Sequence, residues 1–463
     1  MNFLILLYFL LFTLLSRLNL KIAVLILIFA LPSYLIRFSI FSIPSTLLEM
    51  MVLIVSCFFI FNNWKKIFKK SKKEKDTNKT PYPFSWEIIL ILLISFIAVF
   101  VGSLNFSALG IFKAYFLEPI FLFIVILNIF KGEKDIKKII STLALSALVV
   151  SLVAVWQQLT GQFIFNEFWA DINNRRVVSF FGYPNAVALY LGPIIPLIVG
   201  LFVFNFKEKG GLTLFLNQFL LFVALFFSFL AIYFSKSKGA LLALILAFLI
   251  TGFILLNKKF KLIILGLFII FSPFLFIYKK DWIELKLSTS LSYQIRVAQW
   301  QETMKMLKDG NFIWGAGLSN YQSKIQSYHQ EGIFFNKDAD PDFARKIIIF
   351  DDKYRVERWQ PLEIYLYPHN IFLNFWTELG IIGAIVFMFL ILKFLFISLK
   401  LSRKEKHNKN KYIILGLFSS MLVILIHGIF DVPYFKNDLS IIFWILIALL
   451  STYQLSYKQQ KRV

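Results

Sequence analysis

Thirteen runs of apolar residues decide what this chain can fold into, because most of them approach the roughly 18–20 residues a helix needs to cross the hydrocarbon of a bilayer. They fall near 3–16, 20–36, 45–62, 86–102, 114–130, 139–157, 183–205, 213–234, 239–256, 261–278, 370–398, 412–430 and 438–456. Inside lipid no water is present to satisfy main-chain N–H and C=O groups, so such runs must be helices. The first two are short, and Pro32 with Arg37 interrupts the second, so one of them reads as re-entrant or interfacial. The expected fold is an all-α polytopic membrane protein with about 12–13 transmembrane helices. Of the 463 residues 59% are hydrophobic, above the about one half usual in soluble domains. The N-terminus lacks a basic segment and a small-residue cleavage site, which reads as a retained helix.

One long break interrupts this pattern. Residues 279–368 are polar and charged, which divides the chain into N-terminal transmembrane helices (1–278), a large loop (279–368), and C-terminal transmembrane helices with a basic tail (369–463). Short basic loops set the orientation, since Lys and Arg accumulate on the cytoplasmic side. The run Trp64–Thr80, the run Lys400–Lys411 and the tail Tyr457–Val463 are the strongest signals, and the loops at 131–138, 206–211 and 257–261 agree with them by alternation. The 279–368 loop is then extracytoplasmic. The net charge of +23 is read as this topological bias and not as a nucleic-acid footprint. A single cysteine, Cys57, excludes an internal disulfide and a cysteine-based metal or redox site.

Within the loop, Tyr293, Val297, Trp300, Met304 and Leu307 recur at helical spacing, which predicts a helix over 293–308 ended by Asp309-Gly310. Gly315-Ala316-Gly317 follows. It has no preceding strand and no third glycine, so it reads as a tight turn and not as a dinucleotide site. The stretch 337–358 is rich in Asp, Lys and Arg and reads as surface.

His369, in Pro368-His369-Asn370, stands at the expected start of a helix. The positive end of the helix dipole favours an imidazole that accepts a proton, so His369 is a candidate general base toward a sugar hydroxyl. Arg296, one turn before Trp300, offers a planar, permanently charged fork for phosphate oxygens. Lys236 and Lys238 lie at an outer helix mouth, Arg175 and Arg176 precede another span, and Lys113 and Glu118 flank a third. Each of these also has a plain structural reading: snorkelling, solvation or mutual pairing. His427 and Asp431, four apart, share a helix face as polar support; with no further His cluster they do not make a metal site. By charge parity His369, Arg296, Lys238, Arg175, Arg176 and Asp431 all lie on the outer side. Several cations and one base on a helical bundle suit a lipid-anchored diphosphate that carries a sugar.

At these residues the chain resembles the O-antigen ligase and O-antigen polymerase superfamily. The resemblance rests on RRVVSFFGYPNAVALYL (175–191), SKSKGALLAL (235–244), YQIRVAQWQETMKMLKDGNFIWGAGLSNY (293–321), PHNIFLNFWTELGIIG (368–383) and HGIFD (427–431), and covers roughly residues 85–450. It implies a GT-C-like glycosyltransferase of the plasma (inner) membrane. Such an enzyme takes a glycan from an undecaprenyl-diphosphate carrier at the outer face and passes it to a glycolipid or protein acceptor hydroxyl, with inversion and without a metal or other cofactor. The resemblance makes His369 the base and Arg296 the group that holds the diphosphate, with Lys238, Arg176 and Arg175 as further diphosphate ligands. Asn370, Glu378, Asp431 and Lys113 are supporting residues. Lys238 stands where the family usually has Arg; it keeps the charge but loses the bidentate fork. The alternatives are a polysaccharide polymerase of the same superfamily, or a transporter (flippase) of lipid-linked glycans. The placement of charges at helix ends and not along mid-membrane breaks speaks against the transporter.

Overall fold

The computed structural model describes residues 3–40, 43–68, 82–102, 104–208, 210–264, 266, 289–349, 352–405 and 409–460. Among them nine helices are long and apolar enough to cross a membrane: Leu47–Trp64, Phe106–Ile129, Glu133–Thr160, Pro184–Phe206, Leu212–Ser235, Lys238–Leu255, Ile371–Lys404, Asn410–His427 and Asn437–Tyr457. Three more apolar helices are shorter: Phe3–Leu18, Leu20–Phe29 and Ser85–Val101. The protein is thus an all-α, multi-pass membrane protein, as its apolar runs predict. The expected run at 261–278 lies largely outside the described residues, as does most of the basic stretch at 64–80.

The N-terminal runs are short for local reasons. Asn19 ends the first helix and accepts a hydrogen bond from Ile22 N–H at 3.1 Å, so it caps the second. Pro32 then starts a single 3-10 turn, Leu31–Leu35. An antiparallel pair, Arg37–Ile40 with Ile43–Thr46, follows in the register Arg37 to Thr46, where the sequence pattern alone led us to expect no strand. Thr46 and Glu49 then form a reciprocal cap: Glu49 N–H donates to Thr46 Oγ1 at 3.2 Å, and Thr46 N–H to Glu49 Oε2 at 3.1 Å.

The chain divides into two compact units, residues 1–93, 110–248 and 386–463 on the one hand, and residues 94–109 and 249–385 on the other. In the first, the Pro184–Phe206 helix is the buried axis, packed against the Asn410–His427, Leu212–Ser235 and Glu133–Thr160 helices. Polar side chains join these helices where lipid cannot reach. Ser146 donates to Phe29 O at 2.6 Å and meets the Tyr190 hydroxyl at 2.7 Å, and Ser151 meets Ser228 at 3.2 Å. Gln157, fully buried near the end of its helix, uses its whole amide. Its Nε2 donates to Phe163 O (3.1 Å) and Ser179 O (2.9 Å), and its Oε1 accepts from Val178 N–H (2.9 Å) and Ser179 N–H (2.7 Å). One side chain thereby fixes the segment that follows Arg175 and Arg176.

The second unit holds most of the polar loop. Its first helix, Leu291–Lys308, agrees with the expected 293–308. Its most deeply buried face runs through Ala298, Gln299, Glu302, Thr303, Met306 and Leu307, whereas Val297, Trp300 and Met304 are only half-buried. The face is turned from the expected apolar stripe because three of its polar side chains bind neighbouring chain: Gln299 at Tyr367, Glu302 at Gln330 and Thr303 at Tyr321. A small core of Met306, Leu307, Ala316, Tyr321 and Ile325 lies beneath it, packed by Ile364, Leu373 and Trp376.

Replacing Gln157 by Leu strands four buried main-chain groups, each worth about 1–3 kcal/mol when left unpaired. The expected loss of at least about 3 kcal/mol is checked by thermal unfolding in detergent. Gln157→Glu, which keeps the two accepted bonds, should melt between wild type and Gln157→Leu.

Candidate active site

His369 is held by the helix that carries Arg296. Tyr367 and Pro368 lie in a bend just ahead of the Ile371–Lys404 helix, and side chains of the Leu291–Lys308 helix take both of their carbonyls. Gln299 Nε2 donates to Tyr367 O at 2.8 Å and Trp300 Nε1 to Pro368 O at 2.8 Å. Arg296 lies three and four residues before these two, on the same helix face. His369 itself has φ 45°, in the left-handed region that side chains other than Gly rarely adopt, though His and Asn do so more readily. Asn370 then starts the helix as expected: its Oδ1 accepts from Phe372 N–H at 2.9 Å and Leu373 N–H at 3.0 Å. The imidazole is met edge-on by two rings, Tyr365 at 5.1 Å and Tyr367 at 4.9 Å between centroids. Burial raises the Tyr365 hydroxyl above the usual phenol range, Glu363 adds to the rise, and the Arg296 charge opposes it. Arg296 and a ring that flanks His369 are therefore within Coulombic reach of each other.

Eight to eleven residues on, the same helix breaks. Gly380 has φ 76° and ψ 175°. The Gly315-Ala316-Gly317 turn docks there, a tight turn as its sequence implies. Ala316 N–H donates to Thr377 O at 2.6 Å and Gly317 N–H to the same oxygen at 3.2 Å, while Ile381 N–H donates to Ile313 O at 3.2 Å. A side chain at 380 would strike the Ile313 carbonyl, and one at 317 would strike Gly102, so both positions need glycine for space as well as for φ. Glu378, buried beside the break, accepts from Ser319 N–H at 2.9 Å through Oε2. Its visible role is to hold this turn.

The remaining expected site residues belong to the first unit. Arg175 is engaged with main chain: its guanidinium donates to Gln158 O at 2.7 Å and Ala170 O at 3.3 Å, capping the end of the Glu133–Thr160 helix. Arg176 donates to Ser235 O at 3.0 Å and to Asn185 Oδ1 at 3.2 Å, and Asn185 Nδ2 donates in turn to Asp431 Oδ2 at 3.2 Å. Lys238 opens its helix and is exposed; the adjacent Gly239 lies against the His427 ring. Lys113 pairs with Glu49 at 3.4 Å and stands 3.8 Å from Glu118. Two neighbours of this group escaped the sequence reading. Asn185 links Arg176 to Asp431, and Lys436 sits 4.0 Å over the Tyr183 ring. Burial lowers the Lys436 ammonium below the usual lysine range, against the opposing pull of Asp438 and Asp431. The sequence signal for Lys436 was its spacing of five from Asp431. Among the described residues no group of three or more His, Cys, Asp or Glu side chains is gathered to hold a metal ion.

Residues 223–388 match the O-antigen ligase family. The match spans about a third of the chain and is a likeness over those residues. The matched span contains Lys238, Arg296, His369, Asn370 and Glu378 together with both sides of the Gly380 break, and supports placement in the O-antigen ligase and polymerase superfamily. Lys113, Arg175, Arg176 and Asp431 fall outside it. No curated protein matches the chain.

The charged stretch at 337–358 is organised around Asp340 and not around the site. Its carboxylate accepts from Lys346 Nζ at 2.7 Å and from the Tyr354 hydroxyl at 2.7 Å. The Lys346 ammonium, then Tyr354 and the Asp342 N–H, hold its acidity at about 2. Because that value is depressed, whatever these bonds contribute is present above the usual carboxylate range and is lost as pH falls through about 2. Asp340→Ala should therefore expose the 337–358 stretch to limited proteolysis at neutral pH, while the thermal unfolding of the whole protein stays close to that of wild type, because an exposed pairing of this kind is worth little to the whole fold.

Proposed function

We propose that this protein transfers a glycan from an undecaprenyl-diphosphate carrier to an acceptor hydroxyl on a glycolipid or protein, at the outer face of the plasma membrane. Displacement is direct and inverting. The acceptor oxygen bonds to the anomeric carbon, the bond from that carbon to the diphosphate oxygen breaks, and the hydroxyl proton passes to the His369 imidazole. Arg296 offers its fork to the diphosphate as charge develops on the leaving group. The observation that carries this reading is the bonding of Gln299 and Trp300 to the Tyr367 and Pro368 carbonyls. It ties the base to the helix that bears the cation, as a reaction needing both at one centre requires. The family match over the same residues supports the chemical class.

The test uses the purified protein in proteoliposomes with a lipid-diphosphate glycan and an acceptor, and measures release of carrier diphosphate. His369→Ala is expected to lose about 10²–10⁴-fold in turnover, the usual worth of a general base. Arg296→Lys, which keeps the charge without the fork, is expected to lose about tenfold. Full turnover in His369→Ala would show that the base is elsewhere. The orientation is checked separately: an enzyme reporter fused at Asn336 should be active only outside the membrane, and cytoplasmic activity would invert the proposed topology.

A further inference from the structure

Three packed helices of the first unit, Glu133–Thr160, Pro184–Phe206 and Asn410–His427, bring lysines together in pairs over two rings. Lys137 and Lys409 lie 4.5 and 4.9 Å from the centre of the Phe204 ring. Lys207 and Lys411 lie 4.7 and 5.0 Å from the centre of the Tyr412 ring. The first pair is neutralised, because both ammoniums bind Glu208 Oε1, at 3.4 and 2.6 Å. Over Tyr412 a phenol stands where the first pair has a carboxylate. Lys207 Nζ donates to the phenol oxygen at 2.6 Å and meets no carboxylate among the described residues. Two ammoniums drawn to one ring repel each other, and an anion beside them removes the repulsion.

A close helix crossing builds this place. A side chain at Gly200 would strike Tyr412 O, and one at Gly416 would strike Pro196 O. The start of the Asn410–His427 helix is thereby set against the last turns of Pro184–Phe206, and the Tyr412 ring against Lys207, which caps that helix.

Charge and position narrow the ligand. Lys137, Lys207, Lys409 and Lys411 stand with two carboxylates, Glu208 and Glu133, the latter 3.1 Å from Lys137. Four against two leaves an excess of two positive charges in the cluster, and Lys207 is exposed. Phe206, next to Lys207, is 78% exposed, and Leu212, across the short loop, is 72% exposed. The cluster thus lies at the ends of spanning helices, where hydrocarbon gives way to headgroups. Its basic loops mark this side as cytoplasmic. That orientation bias asks only for lysines on this side; it does not gather two of them on one phenol.

We infer that Lys207, Lys411 and the Tyr412 hydroxyl bind the phosphate of an anionic glycerophospholipid in this leaflet. The ammoniums supply charge and N–H donors, the phenol supplies its O–H, and Phe206 and Leu212 receive the upper acyl chains. A zwitterionic lipid brings its own cation into a cluster already in positive excess. A free phosphate gains nothing from the apolar flank. None of these residues is assigned to glycan transfer.

Native mass spectrometry of the full-length protein in detergent, titrated with phosphatidylglycerol or phosphatidylcholine of the same acyl chains, tests the site. Phosphatidylglycerol should bind at least about tenfold more tightly, the scale expected of two lysines at an anionic headgroup. Lys207→Gln, at an exposed position, should weaken phosphatidylglycerol about fivefold and leave phosphatidylcholine unchanged. Lys258→Gln, at an exposed lysine of another basic loop, should leave both lipids within about twofold of wild type. Inorganic phosphate, added at constant ionic strength, should not displace the lipid. Equal binding of the two lipids by the wild type, equal weakening by Lys258→Gln, displacement by inorganic phosphate, or an unchanged preference in Lys207→Gln would overturn the proposal. The wild-type lipid comparison decides the matter even where a variant fails to fold.

Discussion

A helix cannot break without releasing main-chain groups, and the second unit is built around the partners found for those released at Gly380. Thr377 O takes two N–H groups from the Gly315–Gly317 turn, and Ile381 N–H goes to Ile313 O. The turn is then held on its other side, where Leu318 N–H donates to Ala98 O and Ser319 N–H to Glu378. The Leu291–Lys308 helix leads directly into this turn through Asp309-Gly310. The helix bearing Arg296 is thus anchored at its end to the break, while Gln299 and Trp300 anchor it again at the start of the broken helix. Two attachments on one partner leave little freedom between Arg296 and His369.

The same arrangement accounts for His369. A left-handed φ on a residue other than glycine costs of order 1–3 kcal/mol. The two bonds at Tyr367 and Pro368 contribute about 1 kcal/mol each, and the Asn370 cap about 1 kcal/mol more. These are of the size needed to keep the imidazole where the chain would not otherwise place it, between Tyr365 and Tyr367.

Much of this was legible in the sequence, and the rest was hidden for identifiable reasons. The long apolar runs announced their helices because only helices satisfy a backbone in lipid. The Tyr293–Lys308 periodicity, the Asn370 cap and the turn at Gly315–Gly317 rest on local rules, and they appear as read. The Arg37–Thr46 hairpin was missed because four residues of alternation are too few to stand out between two apolar runs. The buried face of the Arg296 helix was misplaced because hydropathy sees apolar surface, whereas Gln299, Glu302 and Thr303 are buried by what they bind. Arg175 looked like a phosphate ligand by charge alone; nothing in the sequence showed that the carbonyls of Gln158 and Ala170 would come within its reach. The break at Gly380 was invisible for the same reason, since its cause is a turn sixty-odd residues away.

The charged stretch after Phe334 leaves and rejoins the loop at one place. Gly332–Phe334 pairs with Trp359–Pro361, Phe335 N–H donates to Arg358 O at 2.8 Å, and Leu362 N–H donates to Glu331 O at 3.0 Å. With both ends tied, closing the excursion costs little more for a longer chain than for a shorter one, since the entropy of closure grows only with the logarithm of length. Evolution is therefore free to lengthen, trim or exchange everything between Phe335 and Arg358 as a cassette, and so to alter what this surface meets without disturbing the residues on either side of the tie.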